Sequence, residues 1–227
     1  MFSPFFALLL PPLLLVPAMG LLSHIDSHSP LETEIRRKAF HVSVGLAALT
    51  FPLFLTRPWM VVVAVTLAVI WMCLVRKVPA IGRRFGRVLH DADRISHGEL
   101  YFALSIGVLL LASNGESFLY VVPLLILTIA DAAAAVVGRA FPLMPLSGLA
   151  KGKTASGCAT FFVVALLVTL PTLIGLTDIS PGLALTVAVT VSVATCIAEA
   201  ISSRGFDNLA VPAVALFILK LLVAGAA

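Results

Sequence analysis

The stretch that decides the fold is Val121–Val137, VVPLLILTIADAAAAVV, in which one carboxylate, Asp131, interrupts an otherwise apolar run. About 20 apolar residues are enough for a helix to cross a bilayer, and this run comes close to that length. A carboxylate inside such a run is costly in hydrocarbon and marks a candidate functional site. The stretch therefore predicts a transmembrane helix that carries a site.

The composition of the whole chain indicates the same class. Of 227 residues, 60% are hydrophobic and 11% are charged, and the mean hydropathy is +1.12. A soluble domain has far more charge and less apolar content than this. The composition excludes a soluble globular protein. It predicts an all-α, polytopic integral membrane helix bundle that forms one domain over residues 1–227.

Eight apolar segments predict about eight transmembrane helices, of which the fourth is short. The predicted spans are 5–22, 39–56, 59–75, 100–113, 118–138, 155–176, 181–201 and 208–226. Residues 1–30 are interpreted as a retained first helix with an outer loop, because no Lys or Arg precedes the run as in a signal peptide. Residues 76–98 form a basic polar loop.

The basic residues lie on one side of this predicted topology. Thirteen of the fifteen Lys and Arg residues fall in loops that follow odd-numbered helices, whereas the opposite loops carry only Arg57. Because basic loops stay in the cytoplasm, both termini are predicted to lie outside. The net charge of +4 reflects this topology, and no nucleic-acid partner is expected.

The residues able to carry chemistry fall on the same predicted cytoplasmic side. They are acids, a histidine, a lysine and an amide near helix ends: His41, Glu99, Asp131, Lys153, Glu199, Asp207 and Asn208. Asp131, Glu199 and Asp207 are candidate ligands for Mg²⁺, which prefers oxygen donors. The alternatives are a close helix–helix contact with a buried ion pair for Asp131 and helix capping for Asp207 or Asn208.

A cationic loop containing glycine follows this apolar helix. Gly138-Arg139 lies near the end of the helix, and KGKTASG at 151–157 leads into the next one. Thr154 is a candidate N-cap, and free N–H groups at the helix start favour an anion beside Lys153. The loop is not a P-loop, because Ser147 stands where a glycine is required and no strand precedes it. The alternative is an ordinary positive-inside loop.

Two further motifs lie at predicted cytoplasmic helix ends. Glu34-x-x-Arg37-Lys38-x-x-His41 places Glu34, Lys38 and His41 on one helix face, at spacings of four and three. Glu99 lies at the start of the short helix, where the helix dipole stabilises a carboxylate. The alternatives are a membrane-surface anchor with an internal ion pair for the first motif and a simple dipole partner for the second.

Together these motifs predict an enzyme, a magnesium-dependent lipid phosphotransferase. Phosphoryl transfer needs cations around the transferred group and in-line positioning more than it needs covalent chemistry from the protein. A site at the cytoplasmic membrane surface would let a soluble charged substrate meet a lipid.

The chain resembles the polyprenol kinase family, which includes dolichol kinases, phytol kinases and CTP-dependent diacylglycerol kinases. The resemblance covers most of the chain after residue 34. It rests on Glu34-x-x-Arg37-Lys38-x-x-His41, Gly98-Glu99-x-Tyr101, Asp131 with Gly138-Arg139, Lys153-Thr154-x-x-Gly157, and Glu199 with Asp207-Asn208-x-x-x-Pro212. The chain departs from the family at Ala130, where glycine is usual, and at Thr154, where serine is common. The resemblance implies transfer of a nucleotide γ-phosphate, often from CTP, to a lipid hydroxyl such as that of phytol, a polyprenol or dolichol.

This hypothesis gives each candidate residue a role. The catalytic residues would be Asp131, Glu99, His41 and Lys153; the nucleotide would contact Arg139, Lys151, Lys153, Thr154, Gly157, Gly138 and Asn208; and Mg²⁺ would be held by Asp131, Glu199 and Asp207. The expected partners are a lipid alcohol, a nucleoside triphosphate and the lipid bilayer. The lipid alcohol, the choice of CTP over ATP or UTP, and the oligomeric state stay open.

Two rival functions fit part of the pattern. Phosphatidate cytidylyltransferase also joins CTP to a lipid, but its Lys-Asp, Pro-Gly-His-Gly-Gly and Asp-Arg-x-Asp signature is missing from the sequence. A small non-enzymatic transporter would place its polar residues near the bilayer midplane, often in repeated halves. Here the polar residues cluster towards one face and no repeat is visible. A kinase that acts on diacylglycerol in phospholipid synthesis stays an alternative within the resemblance.

Overall fold

The computed structural model describes residues 4–24, 28–85, 97–146 and 152–224, and over these residues the chain is helical without strands. The helices, in order, are α1 Pro4–Ser23, α2 Pro30–Ala48, α3 Pro58–Lys77, α4 Pro79–Phe85, α5 Gly98–Ala112, α6 Ser117–Ala140, α7 Ala155–Leu176, α8 Pro181–Ile201 and α9 Asp207–Leu219. A 3₁₀ turn, Phe51–Leu53, follows α2.

Four of these helices, α3, α6, α7 and α8, are long and apolar enough to cross a membrane. The helix α5 is apolar but has only 15 residues, in keeping with the expectation of a short fourth helix. The predicted all-helical class is therefore confirmed for the described residues, and four candidate membrane-spanning helices support the predicted membrane protein. The count of eight spans is not confirmed and stays a prediction.

The bounds of α2 differ from the predicted span of 39–56. The helix begins at Pro30, where the side chain of Ser29 accepts a hydrogen bond from the N–H of Glu32, and it ends at Ala48. A serine cap followed by proline is a strong helix start. The prediction was wrong because it followed hydrophobicity, and the first turns of α2 are charged.

The segment predicted as a polar loop, 76–98, contains the helix α4. This helix starts at Pro79, directly after α3, and packs back against it. Residues 86–96 lie outside the described residues. Proline is favoured in the first turn of a helix, because its missing N–H would have no partner there.

The last predicted span, 208–226, divides in two. The helix α9 ends at Leu219, and a π-helical turn, Lys220–Ala224, continues it. Pro212 lies inside α9. A proline inside a helix removes a backbone donor, which neighbouring helices in a membrane protein can tolerate.

The helix α6 lies at the centre of the bundle and packs against α2, α5, α7 and α9. Near its start, the buried Tyr120 donates its hydroxyl to the carbonyl of Ala48, 2.6 Å away, and so ties α6 to the end of α2. In contrast, α2 makes little contact with α3 or α5 in the described part of the chain. A gap is therefore left between α2 and the α3–α5 pair, beside the candidate functional site.

A π-helical turn, Ile126–Ala130, interrupts α6 directly before Asp131. The N–H of Asp131 donates to the carbonyl of Ile126, five residues back instead of four. Such single π turns often lie at functional sites. The turn also contacts α2 closely, because a β-carbon at Gly45 would lie 2.1 Å from Oγ1 of Thr128. There is no room for a side chain at Gly45.

Replacement of Gly45 with alanine should therefore lower the free energy of unfolding by about 1–3 kcal/mol, the usual cost of overpacking. Gly175→Ala is the matched control, since a β-carbon at this helical glycine meets nothing within 4 Å. Adding Thr128→Ala to Gly45→Ala should recover part of the loss by removing the two nearest atoms. Thermal unfolding in detergent, followed by circular dichroism, measures all three. A Gly45→Ala protein as stable as the wild type would contradict the close contact.

Candidate functional site

Three carboxylates from three helices meet at one end of the bundle. Asp131 belongs to α6, Glu199 lies near the end of α8, and Asp207 begins α9. One oxygen of each lies within 4.8 Å of the others. Asp131 and Glu199 are buried, whereas Asp207 is half-buried. The three predicted metal ligands are thus neighbours in space, and their role stays a prediction.

Two lysines hold these three carboxylates. The ammonium group of Lys38, in α2, pairs with Oδ2 of Asp131. Nζ of Lys153 pairs with Oε1 of Glu199 and lies 3.2 Å from Oδ2 of Asp207. The buried ion pair given as the alternative for Asp131 is present, and the functional role of Asp131 stays a prediction. We call the three carboxylates and two lysines the charged cluster.

Charge balance explains this arrangement. Three carboxylates with two ammonium groups leave one net negative charge, and carboxylates this close together cannot stay ionised without nearby cations. Burial lowers the pKa of Lys153, but the carboxylates of Asp207 and Glu199 outweigh that effect and hold the pKa above its ordinary value. Lys153 is therefore a permanent cation at neutral pH.

His41 lies next to the charged cluster, one turn of α2 beyond Lys38. Its Nε2 is 3.7 Å from Oδ2 of Asp131 and 3.0 Å from the carbonyl oxygen of Leu127. Because a carbonyl oxygen only accepts, Nε2 carries a proton, and Nδ1 is the basic nitrogen of the neutral ring. The carbonyl of Leu127 can accept this bond because the π turn directs the Asp131 N–H to Ile126.

Glu34 lies with the arginines rather than with the charged cluster. Its carboxylate is 2.6 Å from Arg37 and 3.7 Å from Arg139. Burial raises the pKa of Glu34, but the guanidinium of Arg37 outweighs it, and the pKa is lowered overall. Arg139 also donates to the carbonyl of Pro30 at 2.9 Å, so it joins the end of α6 to the start of α2. The predicted internal ion pair of this motif is present, and the phosphate-binding role of Arg139 stays a prediction.

Thr154 caps α7 as predicted, with its hydroxyl accepting a hydrogen bond from the N–H of Gly157 at 3.1 Å. The glycines predicted to shape a nucleotide loop lie where α6 crosses α7. A β-carbon at Gly138 would lie 2.9 Å from the Thr154 hydroxyl and 3.3 Å from Cα of Gly157. Gly138 and Gly157 allow α6 and α7 to cross closely, and their contact with a nucleotide stays a prediction. Lys151 lies outside the described residues.

Two other predicted site residues have protein partners. The amide of Asn208 donates to the carbonyl of Gly98 at 2.8 Å and ties α9 to α5. Glu99 pairs with Arg76 of α3 at 2.6 Å. Helix capping does not explain Asn208, because α9 has Phe206 at its N-cap and no side-chain capping bond. The nucleotide contact of Asn208 and the catalytic role of Glu99 stay predictions.

An apolar groove leads away from the charged cluster. It lies between α2 on one side and α3 and α5 on the other, with α1 along its edge. The empty space within it is about 850 Å³, a figure that includes open solvent at the mouth. Its polar lining residues are Arg37 and His41 of α2, Glu99 at the start of α5 and Asn208 at the start of α9. His41 therefore borders both the groove and the cluster.

Sequence reasoning missed Lys38 and Arg76 as site residues. Arg76 had been counted only as a positive charge that sets the topology, whereas Lys38 was also named in the motif with Glu34 and His41, without a role in the site. The helical spacing of Lys38 and His41 was the one local signal, and it indicated a shared face without naming the partner. The groove had no sequence signal, because its lining comes from several helices.

Comparison with known proteins gives no match to a family model, to a curated protein or to a solved structure. The functional interpretation therefore rests on the geometry of the site and on the motifs in the sequence.

Breaking the Lys38–Asp131 pair should be costly. Lys38→Met leaves a buried carboxylate without its partner and should lower the free energy of unfolding by about 3–5 kcal/mol. The double variant Lys38→Met/Asp131→Leu removes both charges and should recover most of that loss. Lys77→Met, at an exposed lysine, is the control and should change stability by less than about 0.5 kcal/mol.

Unfolding of the detergent-purified proteins measures this cycle. A double variant no more stable than Lys38→Met alone would mean that the two side chains do not stabilise each other.

Proposed function

We propose that this protein is a magnesium-dependent phosphotransferase that moves the γ-phosphate of a nucleoside triphosphate, CTP in the first instance, to the hydroxyl of a membrane lipid alcohol. The observation that carries the proposal is that the charged cluster meets the polar end of the apolar groove at His41. A soluble phosphate donor requires the cluster, and a lipid acceptor requires the groove.

The donor set of the cluster fits Mg²⁺. Mg²⁺ binds to proteins through a few carboxylates and takes further oxygens from substrate phosphates and water. Asp131, Glu199 and Asp207 would hold the ion. At present the ammonium groups of Lys38 and Lys153 lie against these carboxylates, as a cation would. When bound, the ion would neutralise charge on the transferred phosphate.

The lysines supply the charge that a triphosphate needs. Lys153 comes two residues before α7, whose free N–H groups and helix dipole favour an anion. Its ammonium group exchanges a carboxylate for a phosphate oxygen when a nucleotide binds, and Lys38 does the same at Asp131. Arg139 would supply a further positive charge, and the loop around Thr154 begins α7 next to Lys153. Most of the catalytic effect comes from such positioning and charge.

His41 is the residue placed to accept the proton of the lipid hydroxyl. It lines the groove, and with Nε2 donating to Leu127 its Nδ1 is free to act as the base. Glu99, which pairs with Arg76, lies on the opposite wall at the same end of the groove and orients the hydroxyl.

The proposal includes the eight-span topology, with the cluster facing the cytoplasm. The basic loops and helix ends that the positive-inside rule assigns to the cytoplasm supply the residues of the cluster. The resemblance to the polyprenol kinase family rests on these same residues. It is the reason for naming CTP and an isoprenoid alcohol such as phytol, a polyprenol or dolichol.

Purified protein should label a lipid alcohol when it is given CTP or ATP carrying radioactive γ-phosphate together with phytol, a short polyprenol or diacylglycerol. Label should appear only with Mg²⁺ present, and the nucleotide product from CTP should be CDP. Pyrophosphate released from CTP and phosphatidate, without labelled lipid, would contradict the proposal and favour a cytidylyltransferase. Nucleotide left unconsumed with every lipid would contradict any nucleotide-dependent enzyme and favour the transporter.

Asp207→Asn should lower kcat by on the order of 10²-fold, the usual loss when one group that stabilises the transition state is removed. Asp207 is chosen because it is half-buried, so the substitution disturbs folding less than one at Asp131. Asp178→Asn, at an exposed acid between α7 and α8, is the control and should keep full activity. Equal kcat values in the two variants, with equal thermal stability, would show that Asp207 does not contribute to the site.

A further inference from the structure

We propose that the groove binds one hydrocarbon chain of the lipid acceptor and measures about twelve main-chain carbons from the hydroxyl. The identity of the hydroxyl as the acceptor rests on the proposed function. The shape of the groove does not depend on that function, so the chain-binding proposal and the kinase proposal can fail separately.

The walls of the groove come from regular helix faces. On α3 the lining residues include Ala64, Ala68 and Met72, which follow one another at intervals of four. On α5, Phe102 and Ile106 repeat the same interval. The two alanines leave space in the middle of the groove, where longer side chains would fill it. A continuous channel between α2 and the α3–α5 pair results.

The groove is closed along the wall where α3 meets α5. A β-carbon at Gly107 would lie 2.5 Å from Cγ2 of Val65, so these two helices are in direct contact there. A second chain has no gap to enter on this side. The groove therefore favours an acceptor with one chain over a diacyl lipid.

The polarity of the lining selects the occupant. Polar side chains lie at one end only, and the remaining lining is aliphatic or aromatic. A sugar or a peptide would bury unpaired polar groups along such walls, at a cost of a few kcal/mol each. A molecule with a single polar end and a hydrocarbon body matches the whole groove. That molecule is a lipid alcohol with its hydroxyl at His41.

A ring contact sets the starting point of the measurement. The rings of His41 and Phe102 lie 4.1 Å apart between centroids and bridge α2 to α5 at the polar end. A chain entering from the apolar side stops at this bridge with its hydroxyl beside His41. The chain register is thereby determined by the head of the molecule, not by its tail.

The length of the helical walls sets the length of chain that the groove holds. Met72 and Val61, at opposite ends of the α3 wall, are eleven residues apart, which is about 16 Å at 1.5 Å per residue. Met72 packs with Phe40, so it marks the polar end of this wall. An extended chain with bonds of about 1.5 Å advances roughly 1.25 Å per bond, so this length holds about 12 or 13 carbons. Phe51 and Leu55 line the far end. Longer alcohols project beyond them into the bilayer.

Photo-crosslinking in lipid vesicles tests the register without nucleotide. Straight-chain alcohols carrying a diazirine at carbon 3, 11 or 16 are irradiated with the full-length protein, and the labelled residues are identified by mass spectrometry. Carbon 3 should label Phe40 or Phe102, carbon 11 should label Phe51 or Leu55, and carbon 16 should label none of these. Labelling of the outward-facing Val62 and Leu104 by all three probes alike would overturn the proposal.

A shortened groove provides the second test. Ala64→Phe places a ring about 12 Å from Met72 along α3, in the last third of the groove. Labelling by the carbon-11 probe should fall by on the order of tenfold, because the chain would have to displace packed atoms. An octanol probe with its diazirine at carbon 3 should still react. Val62→Phe, on the exposed face of the same helix, is the matched control and should leave both signals unchanged.

The two proposals can be separated by combining these measurements with the phosphorylation assay. Labelling that depends on the position of the diazirine, without phosphorylation of any alcohol, would support the proposed hydrocarbon-chain site and contradict the kinase proposal. The opposite result is that no groove residue is labelled, while the wild type and Ala64→Phe phosphorylate alcohols with the same chain-length preference. That result would support the kinase proposal and overturn the proposed hydrocarbon-chain site.

Discussion

The ion pair between Lys38 and Asp131 is the interaction on which the rest of the structure depends. A carboxylate inside an apolar helix stays charged only if a cation lies against it, and Lys38 of α2 provides that cation. The helix α2 is therefore held against the π turn of α6, where Gly45 allows close approach to Thr128. Packed on this side, α2 stands away from α3 and α5, and the groove is the space that remains.

The charged cluster is larger than stability alone explains. Replacing a buried ion pair with packed apolar residues is often neutral or stabilising, so a membrane bundle does not need three carboxylates and two lysines at one end. In the proposed function, a metal ion and phosphate groups would take the place of its protein cations. The same interactions would then hold the fold when no substrate is bound and bind the substrate when it is present.

The π turn connects backbone geometry to this chemistry. By directing the Asp131 N–H to Ile126, it leaves the Leu127 carbonyl to accept from His41, which determines which nitrogen of the ring is basic. His41 is also in contact with Phe102 across the head of the groove. His41 thus borders both the charged cluster and the groove, to which the proposed function assigns the phosphate donor and the lipid alcohol.

The sequence by itself determined the helical membrane class and the bounds of α7 and α8, since apolar length and capping residues are local properties. It also identified Asp131, Glu199 and Asp207, because acids at the ends of or inside apolar runs are conspicuous. Only the tertiary structure decided that Lys38, 93 residues before Asp131 in the chain, is its partner, and that four helices leave a groove beside it. Ion pairs and cavities depend on how helices pack, and helical periodicity shows which residues share a face without showing which helix that face meets.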